Sequence, residues 1–130
     1  MRVLETGDWS LILPEEWEAE QDGDTILIGD QDEVGCLEIS EFRKDGGHFD
    51  EADLAPFTGG GPEWTSVHLG SFTGLQTTLD EDDMALREWC VFSGSALLYI
   101  TYSCALEDRG MDDAAVDEIL GTLRYAQDSD

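Results

Sequence analysis

Runs of alternating apolar and polar residues, separated only by short turns, fill most of the second half of this chain. The strand-like runs cover residues 67–69, 72–79, 84–92 and 97–104. The turns between them contain Gly70, the acidic residues Asp80, Glu81, Asp82 and Asp83, and then Ser93-Gly94-Ser95. Connections this short join only antiparallel neighbours, because a parallel crossover needs a dozen or more residues. The pattern therefore predicts an antiparallel sheet.

The first half of the chain predicts further strands. Pro14 ends the first run, because proline cannot donate a hydrogen bond to a sheet. Asp22-Gly23 is a preferred two-residue hairpin turn, since both turn positions need a positive φ. The strands predicted in this half cover residues 9–13, 17–21, 25–28 and 36–42.

A short helix is predicted between these two groups of strands. Asp50 is a good N-cap with Asp53 three residues on, and Leu54 and Phe57 lie at helical spacing. The glycine run 59–61 keeps this helix short.

A second helix is predicted near the end of the chain. Asp112 and Asp113 place negative charge at its N-terminus, where the helix dipole favours it. A wide apolar stripe follows, which must cover a sheet face because such a helix is not stable alone in water. The stripe consists of Ala115, Val116, Ile119, Leu120 and Leu123.

These elements together predict an α+β protein. We expect an antiparallel sheet of about six to seven strands, formed as one bent layer from Trp9 to Cys104, with helices packed on its faces. At 130 residues the chain has the size of one domain. We assign residues 1–126 to that domain and residues 127–130 to a frayed tail.

The order of these elements resembles the PsbP-like superfamily over about residues 8–125. The strand that ends in Leu13-Pro14 and is followed by Glu15-Glu16-Trp17 is similar to the start of these domains. Residues 69–75, LGSFTGL, resemble their glycine-containing two-strand corner, and residues 98–104, LYITYSC, resemble their last strand. The resemblance implies an αβα sandwich around a central antiparallel sheet.

Members of this superfamily share protein binding as their common property. They include the extrinsic PsbP protein of photosystem II, a Ran-binding nuclear import factor, DcrB-type proteins and type VI secretion effector chaperones. Their partners are too different for any functional residue to carry over to this chain. The resemblance therefore implies an interaction domain without naming its partner.

Acidic residues dominate the charged fraction of the chain. Asp and Glu number 31 against 6 Lys and Arg, for a formal net charge of −25. This charge repels phosphates and anionic lipid headgroups, so we expect neither a nucleic-acid nor a membrane partner. Three explanations stay open: solubility in a saline cytoplasm, a basic binding partner, and compositional drift. The acidic residues occur in almost every turn, which favours a distributed surface over a single acidic face.

The sequence also predicts the compartment. The N-terminal residues contain no apolar run of signal-peptide length, and the apolar stretch 96–102 is too short to cross a membrane. Cys36, Cys90 and Cys104 are an odd number of cysteines and lie in apolar runs, as buried thiols do. We expect a cytoplasmic protein with reduced cysteines.

No metal or cofactor is expected. An EF-hand loop starting at Asp80 would need glycine and glutamate where Ala85 and Val91 stand, so we interpret the acidic cluster as a solvated turn. The cysteines and histidines lack zinc-site spacing. The acidic residues Asp30, Asp32 and Glu33 are interpreted as another solvated turn.

The residue patterns predict no enzyme. Ser66 and His68 are two residues apart, which places both side chains on one face of a strand. Nothing marks an orienting acid or an oxyanion donor, and the Gly-x-Ser-x-Gly pattern is absent. The glycine run 59–61 lacks the Lys-Ser/Thr sequel of a phosphate-binding loop, so we interpret it as a connector.

The leading hypothesis is a non-enzymatic protein-interaction domain, acting as an adaptor, secretion chaperone or immunity-type partner. Trp64 is the tryptophan that an exposed loop could present as an anchor, although packing in the core is the favoured interpretation. The residues assigned to partner binding are Trp64, Asp80, Glu81, Asp82 and Asp83. The alternative hypothesis is a small-ligand-binding or hydrolytic domain, with a pocket between the sheet and the helix after Asp50 and with His48 or His68 in it.

Overall fold

The computed structural model describes residues 2–6, 9–31, 34–44, 46–58 and 63–125. The glycine run 59–61, the tail 127–130, Asp32 and Glu33 lie outside the described residues. The strands are β1 (Arg2–Glu5), β2 (Trp9–Leu13), β3 (Trp17–Asp22), β4 (Thr25–Asp30), β5 (Gly35–Arg43), β6 (Thr65–Leu69), β7 (Phe72–Glu81), β8 (Met84–Ser93), β9 (Ala96–Ala105) and β10 (Arg124–Tyr125). The helices are a 3₁₀ helix (Glu51–Leu54) that continues into α1 (Ala55–Thr58), a second 3₁₀ helix (Leu106–Asp108) and α2 (Asp113–Leu120).

Seven strands form the main sheet, in the order β3-β4-β5-β9-β8-β7-β6, and every neighbouring pair is antiparallel. This confirms the α+β class and the antiparallel sheet. The conformations of the hairpin turns are explained by the residues that occupy them. Gly70 and Gly94 open two of the turns with positive φ, while Asp82 (φ 51°) and Asp83 (φ 66°) both lie in the left-handed region.

The prediction of one layer from Trp9 onward is wrong, because β2 belongs to a second sheet. β2 pairs with β1 on one side and with β10 on the other. Pro14 and the turn after it separate β2 from β3, with the Trp17 N–H donating to the Pro14 carbonyl at 3.0 Å. β2 can therefore leave the main sheet, and it buries Trp9, Leu11 and Leu13 in the core.

Three predicted boundaries also need correction. Asp22 pairs with Thr25, so the first hairpin turn is Gly23-Asp24, because Gly23 (φ +61°) occupies the first turn position. Asp80 and Glu81 lie within β7, so the acidic turn contains only two residues. The last helix ends at Leu120, so Leu123 of the predicted apolar stripe lies beyond it, and Tyr125 in β10 pairs with Trp9 in β2.

The first helix begins as predicted. The Asp50 carboxylate accepts a hydrogen bond from the Ala52 N–H at 3.0 Å, and the Asp53 carboxylate accepts one from the Asp50 N–H at 2.9 Å. This reciprocal arrangement is a capping box. Lys44 adds an ion pair to Asp53 at 3.1 Å.

The described side chains form two hydrophobic clusters. The larger one joins the main sheet, β2 and α2, and the helix contributes Val116, Ile119 and Leu120, all fully buried. The smaller one joins Leu54 with Cys90 and Leu97. Within the described part of the chain, no helix is long and apolar enough to cross a membrane.

Candidate functional site

The tip of the β7–β8 hairpin brings acidic and exposed apolar side chains together. Asp82 and Asp83 form the turn and are exposed. The Leu106 N–H donates to the Asp83 carbonyl at 3.2 Å, which fixes the 3₁₀ helix after β9 beside the turn. Met84 and Leu106 remain 37% and 38% exposed. We call residues Asp82, Asp83, Met84, Leu106 and Glu107 the hairpin-tip surface.

Neighbouring residues extend this surface. Arg109 forms an ion pair with Asp80, the first residue of the predicted acidic cluster. Met111 follows and is 67% exposed, the largest exposure among the described large apolar side chains. The β3 hairpin is also acidic, with Glu18 and Glu20 exposed, but none of the exposed large apolar residues lies on it. The combination of carboxylates and apolar groups therefore distinguishes the hairpin-tip surface from the acidic β3 hairpin.

A cleft of about 710 Å³ lies beside the start of α2, over β7 and β8. Arg87 lines it, stacks 4.6 Å from the Trp89 ring centre, and pairs with Asp117 at 2.7 Å and Asp113 at 3.4 Å. Arg109 lines it as well. Both arginines already form ion pairs with carboxylates of this chain. The cleft is therefore polar, but it does not offer an unpaired arginine to an anionic ligand.

A buried hydrogen bond forms part of the wall of this cleft. The Tyr102 hydroxyl donates to the Asp112 carboxylate at 2.5 Å, and both residues are buried. Burial, followed by this hydrogen bond, raises the pKa of Tyr102 well above its ordinary value. A Cβ on Gly35 would lie 2.2 Å from the Tyr102 hydroxyl oxygen, so only glycine leaves room for this ring.

A second cavity of about 340 Å³ lies where the alternative hypothesis expects a pocket, between the sheet and the helix after Asp50. Glu51 and Leu54 line it from the helical side, and Ser66 and His68 line it from β6. Both β6 side chains are on the same face, as their spacing predicts, and both are exposed. No hydrogen bond joins them among the described contacts.

Trp64 does not stand out as an exposed indole. It lies just before β6, half-buried, and packs against the smaller hydrophobic cluster of Leu54, Cys90 and Leu97. Its ring nitrogen is buried and has no hydrogen-bond partner within the described ranges. The structure therefore leaves Trp64 only partly exposed, and its assignment to partner binding stays a prediction.

The three cysteines are free thiols. Burial raises the pKa of each: Cys36, Cys90 and Cys104. Because the thiolate is the nucleophile, thiols with a raised pKa are poorly suited to nucleophilic catalysis at neutral pH. Across the described residues, no three His, Cys, Asp or Glu side chains are grouped so that they could hold a metal ion.

We expect the melting temperature to rise with salt. Between about 0.1 M and about 1 M NaCl the Debye length falls from about 10 Å to about 3 Å, which screens repulsion among the surface carboxylates. The expected increase is about 5 °C, measured by circular dichroism. A Glu18→Gln/Glu20→Gln variant, with two fewer charges, should respond less. An unchanged melting temperature in the wild type would mean that this repulsion does not limit stability.

The solved structures that are similar to this chain include the following two. A protein from Bacteroides thetaiotaomicron VPI-5482 matches with a TM-score of 0.68 and 16% sequence identity, over 94% of this chain and 46% of that protein. LpqN, which is involved in cell envelope biogenesis of Mycobacterium tuberculosis, matches with a TM-score of 0.60 and 14% identity, over 95% of this chain and 89% of LpqN. This chain thus spans about half of the Bacteroides protein, and at these identities the likeness shows the fold alone.

The sequence comparisons give no family. No protein-family model matches the chain, and no curated protein matches it. The structural likeness is therefore the finding that relates this chain to known proteins.

Proposed function

We propose that this chain is a non-enzymatic, cytoplasmic protein-interaction domain that binds a basic protein through the hairpin-tip surface. Its role is that of an adaptor, a secretion chaperone or an immunity-type partner. The observation that carries the proposal is the exposure of Met84 and Leu106 beside the carboxylates of Asp82, Asp83 and Glu107.

Physical reasons connect this surface to a basic partner. Carboxylates attract and orient a cationic partner, which speeds the encounter. Exposed apolar side chains supply the contact area that charge alone does not, and their burial against a partner removes apolar surface from water. A surface used only for solubility would gain nothing from exposing Met84, Leu106 and Met111.

The proposal also includes a particular fold and a cellular location. We assign a PsbP-like αβα sandwich, supported by α2 in the larger cluster and Leu54 in the smaller one. Leu97 and Leu98 are consecutive in β9 and belong to different clusters, as side chains on opposite faces would. The free cysteines support a reducing compartment. LpqN's part in envelope biogenesis makes the envelope the competing location.

Amide chemical-shift mapping with a capped hexa-arginine peptide tests the binding surface. We expect the largest shifts at residues 80–84 and 105–111. An Asp82→Asn/Asp83→Asn variant should weaken binding about tenfold, and asparagine tolerates the positive φ of both positions.

The matched control removes the same charge from the β3 hairpin. Glu18→Gln/Glu20→Gln should change the affinity less than about twofold, because it leaves the hairpin-tip surface intact. Shifts spread evenly over all acidic residues, or equal losses in the two variants, would contradict the proposal and favour general solubility.

A second candidate function rests on the cavity beside Ser66 and His68. A small-ligand-binding or hydrolytic domain would use its apolar wall, which includes Leu54 and Phe92, and its polar rim. Hydrolysis of p-nitrophenyl acetate above the buffer rate, abolished by His68→Ala or Ser66→Ala, would establish it. A rate equal to that of buffer would remove the hydrolytic version.

A further inference from the structure

The two edges of the main sheet differ in charge. β3 forms one edge and carries Glu18, Glu20 and Asp22. β6 forms the other edge and reads Thr-Ser-Val-His-Leu, without Asp, Glu, Lys, Arg or Pro. Charged residues and prolines on an edge strand prevent another chain from pairing with it. β6 therefore lacks the charged side chains that protect the β3 edge, although the chain as a whole has a net charge of −25.

The β6 edge also directs backbone groups outward. Gly70-Ser71 is a two-residue turn, so Leu69 and Phe72 form a hydrogen-bonded pair. Pairing then alternates, and Val67 and Thr65 also bond to β7. Ser66 and His68 consequently direct their N–H and C=O groups away from β7. Among the described residues, no strand pairs with this side of β6.

The two cavities lie on opposite sides of this edge strand. Thr65 of β6 lines the cleft of about 710 Å³, together with Glu63 and Asp80. Ser66 and His68 of β6 line the cavity of about 340 Å³. Since successive side chains of a strand point to opposite faces, a strand added to β6 would send alternate side chains toward the two cavities.

The chemistry of the two cavities selects different side chains. Glu63 is exposed at the first cleft and forms no ion pair within the described part of the chain, so it suits a lysine or arginine. Leu54, Leu75 and Phe92 line the second cavity, which suits an apolar side chain. The net charge of −25 attracts a cationic segment and opposes a second copy of this chain.

We propose that β6 binds an extended segment of a basic partner protein as an eighth, antiparallel strand. Basic side chains of the segment lie beside Thr65 and Val67, and apolar ones lie beside Ser66 and His68. The proposal rests on the proposed function, protein binding, and adds a surface that does not include the hairpin tip.

Hydrogen exchange of the full chain with a capped Lys-Val-Lys-Val-Lys peptide tests this pairing. Peptide binding should slow exchange of the Ser66 and His68 amides about tenfold or more, because these N–H groups gain acceptors. The Val67 amide already bonds to β7 and should change little. Unchanged exchange at both residues in the presence of saturating peptide would overturn the proposal.

Two methylated peptides separate strand pairing from charge attraction. N-methylation of the valines removes the donors that face β6 and should weaken binding about tenfold. N-methylation of the lysines, whose N–H groups face away, should change affinity less than about threefold. Equal affinity of all three peptides would show charge attraction alone and overturn the proposal.

Protein variants provide the matching test. Ser66→Lys places a positive charge on the edge and should weaken binding about tenfold. Glu20→Gln changes the net charge equally at the other edge and should leave the affinity within about twofold. The Asp82→Asn/Asp83→Asn variant should bind this peptide with wild-type affinity. A failure of the β6 proposal can therefore be distinguished from a failure of the proposed hairpin-tip surface. Peptide-free dimerisation with protection of Ser66 and His68 would assign the edge to self-pairing and overturn the proposal.

Discussion

Replacement of Gly74 by alanine is expected to destabilise the fold by about 3 kcal/mol or more. Gly74 lies opposite Val91 in the β7–β8 ladder. An added Cβ would lie 2.1 Å from the Cys90 carbonyl oxygen and 2.8 Å from the Val91 Cα. Both atoms belong to the backbone, so β7 and β8 must separate to make room. Urea unfolding followed by tryptophan fluorescence measures the loss.

Gly29 provides the control for this change. It also lies inside a strand, but its added Cβ would meet only the Gly35 carbonyl oxygen, at 3.7 Å. Gly29→Ala is therefore expected to change the free energy of unfolding by less than about 1 kcal/mol. Similar losses in the two variants would show that the close approach at Gly74 does not exist.

Stability is expected to fall steeply above pH 9, and Cys90 is a principal cause. Burial raises the pKa of this thiol from 9.0 to about 12. Between these values the unfolded chain releases a proton that the folded chain keeps. Each pH unit then removes about 1.4 kcal/mol of stability for this one group. The contribution is complete below pH 9 and is lost as the pH rises toward 12.

Cys90→Ala isolates this effect. The variant should start from a lower stability, but its stability should fall less steeply with pH, by about 1.4 kcal/mol per unit. The measurement is urea unfolding at a series of pH values under reducing conditions. Cys36 and Cys104, whose pKa values burial also raises, remain in the variant and keep part of the slope. Identical slopes in the variant and the wild type would mean that Cys90 is not shielded from water.

Local signals predict the long hairpins because each is specified within a few residues. Gly70, Gly94 and the Asp82-Asp83 pair supply turn conformations, and the alternation on either side sets the register. The capping box at Asp50 is local in the same sense. Such features depend on neighbours in the sequence, so they are visible without the structure.

The β10 strand of the second sheet depends on contacts between distant parts of the chain. β10 has only two residues, and the Tyr125 N–H donates to the Ser71 side chain at 2.7 Å, 54 residues away. The Ser71 N–H donates in turn to the Leu123 carbonyl at 3.0 Å. No periodicity in two residues could predict this strand. β2 pairs with β1 and with this strand, and its own alternating pattern does not show which strands it pairs with, so its place outside the main sheet is not visible in the sequence.

The candidate site was predictable only in its charge. The acidic residues of the hairpin turn are visible in the sequence, but Met84 and Leu106 belong to apolar patterns that usually indicate burial. Met84 is the first residue of β8 and Leu106 follows the end of β9, so both lie at one end of the sheet. The Tyr102–Asp112 hydrogen bond joins β9 to the start of α2, and only the folded chain brings these residues together.

Affinity capture from the protein's own cell extract tests the central claim most directly. The bait is used as wild type, as Asp82→Asn/Asp83→Asn and as Glu18→Gln/Glu20→Gln, at low and at high salt. We expect the wild type and the β3 variant to retain the same basic protein at low salt and to release it at high salt, and the hairpin-tip variant to fail. Recovery of no specific protein by the wild type, or equal recovery by all three baits, would contradict the account.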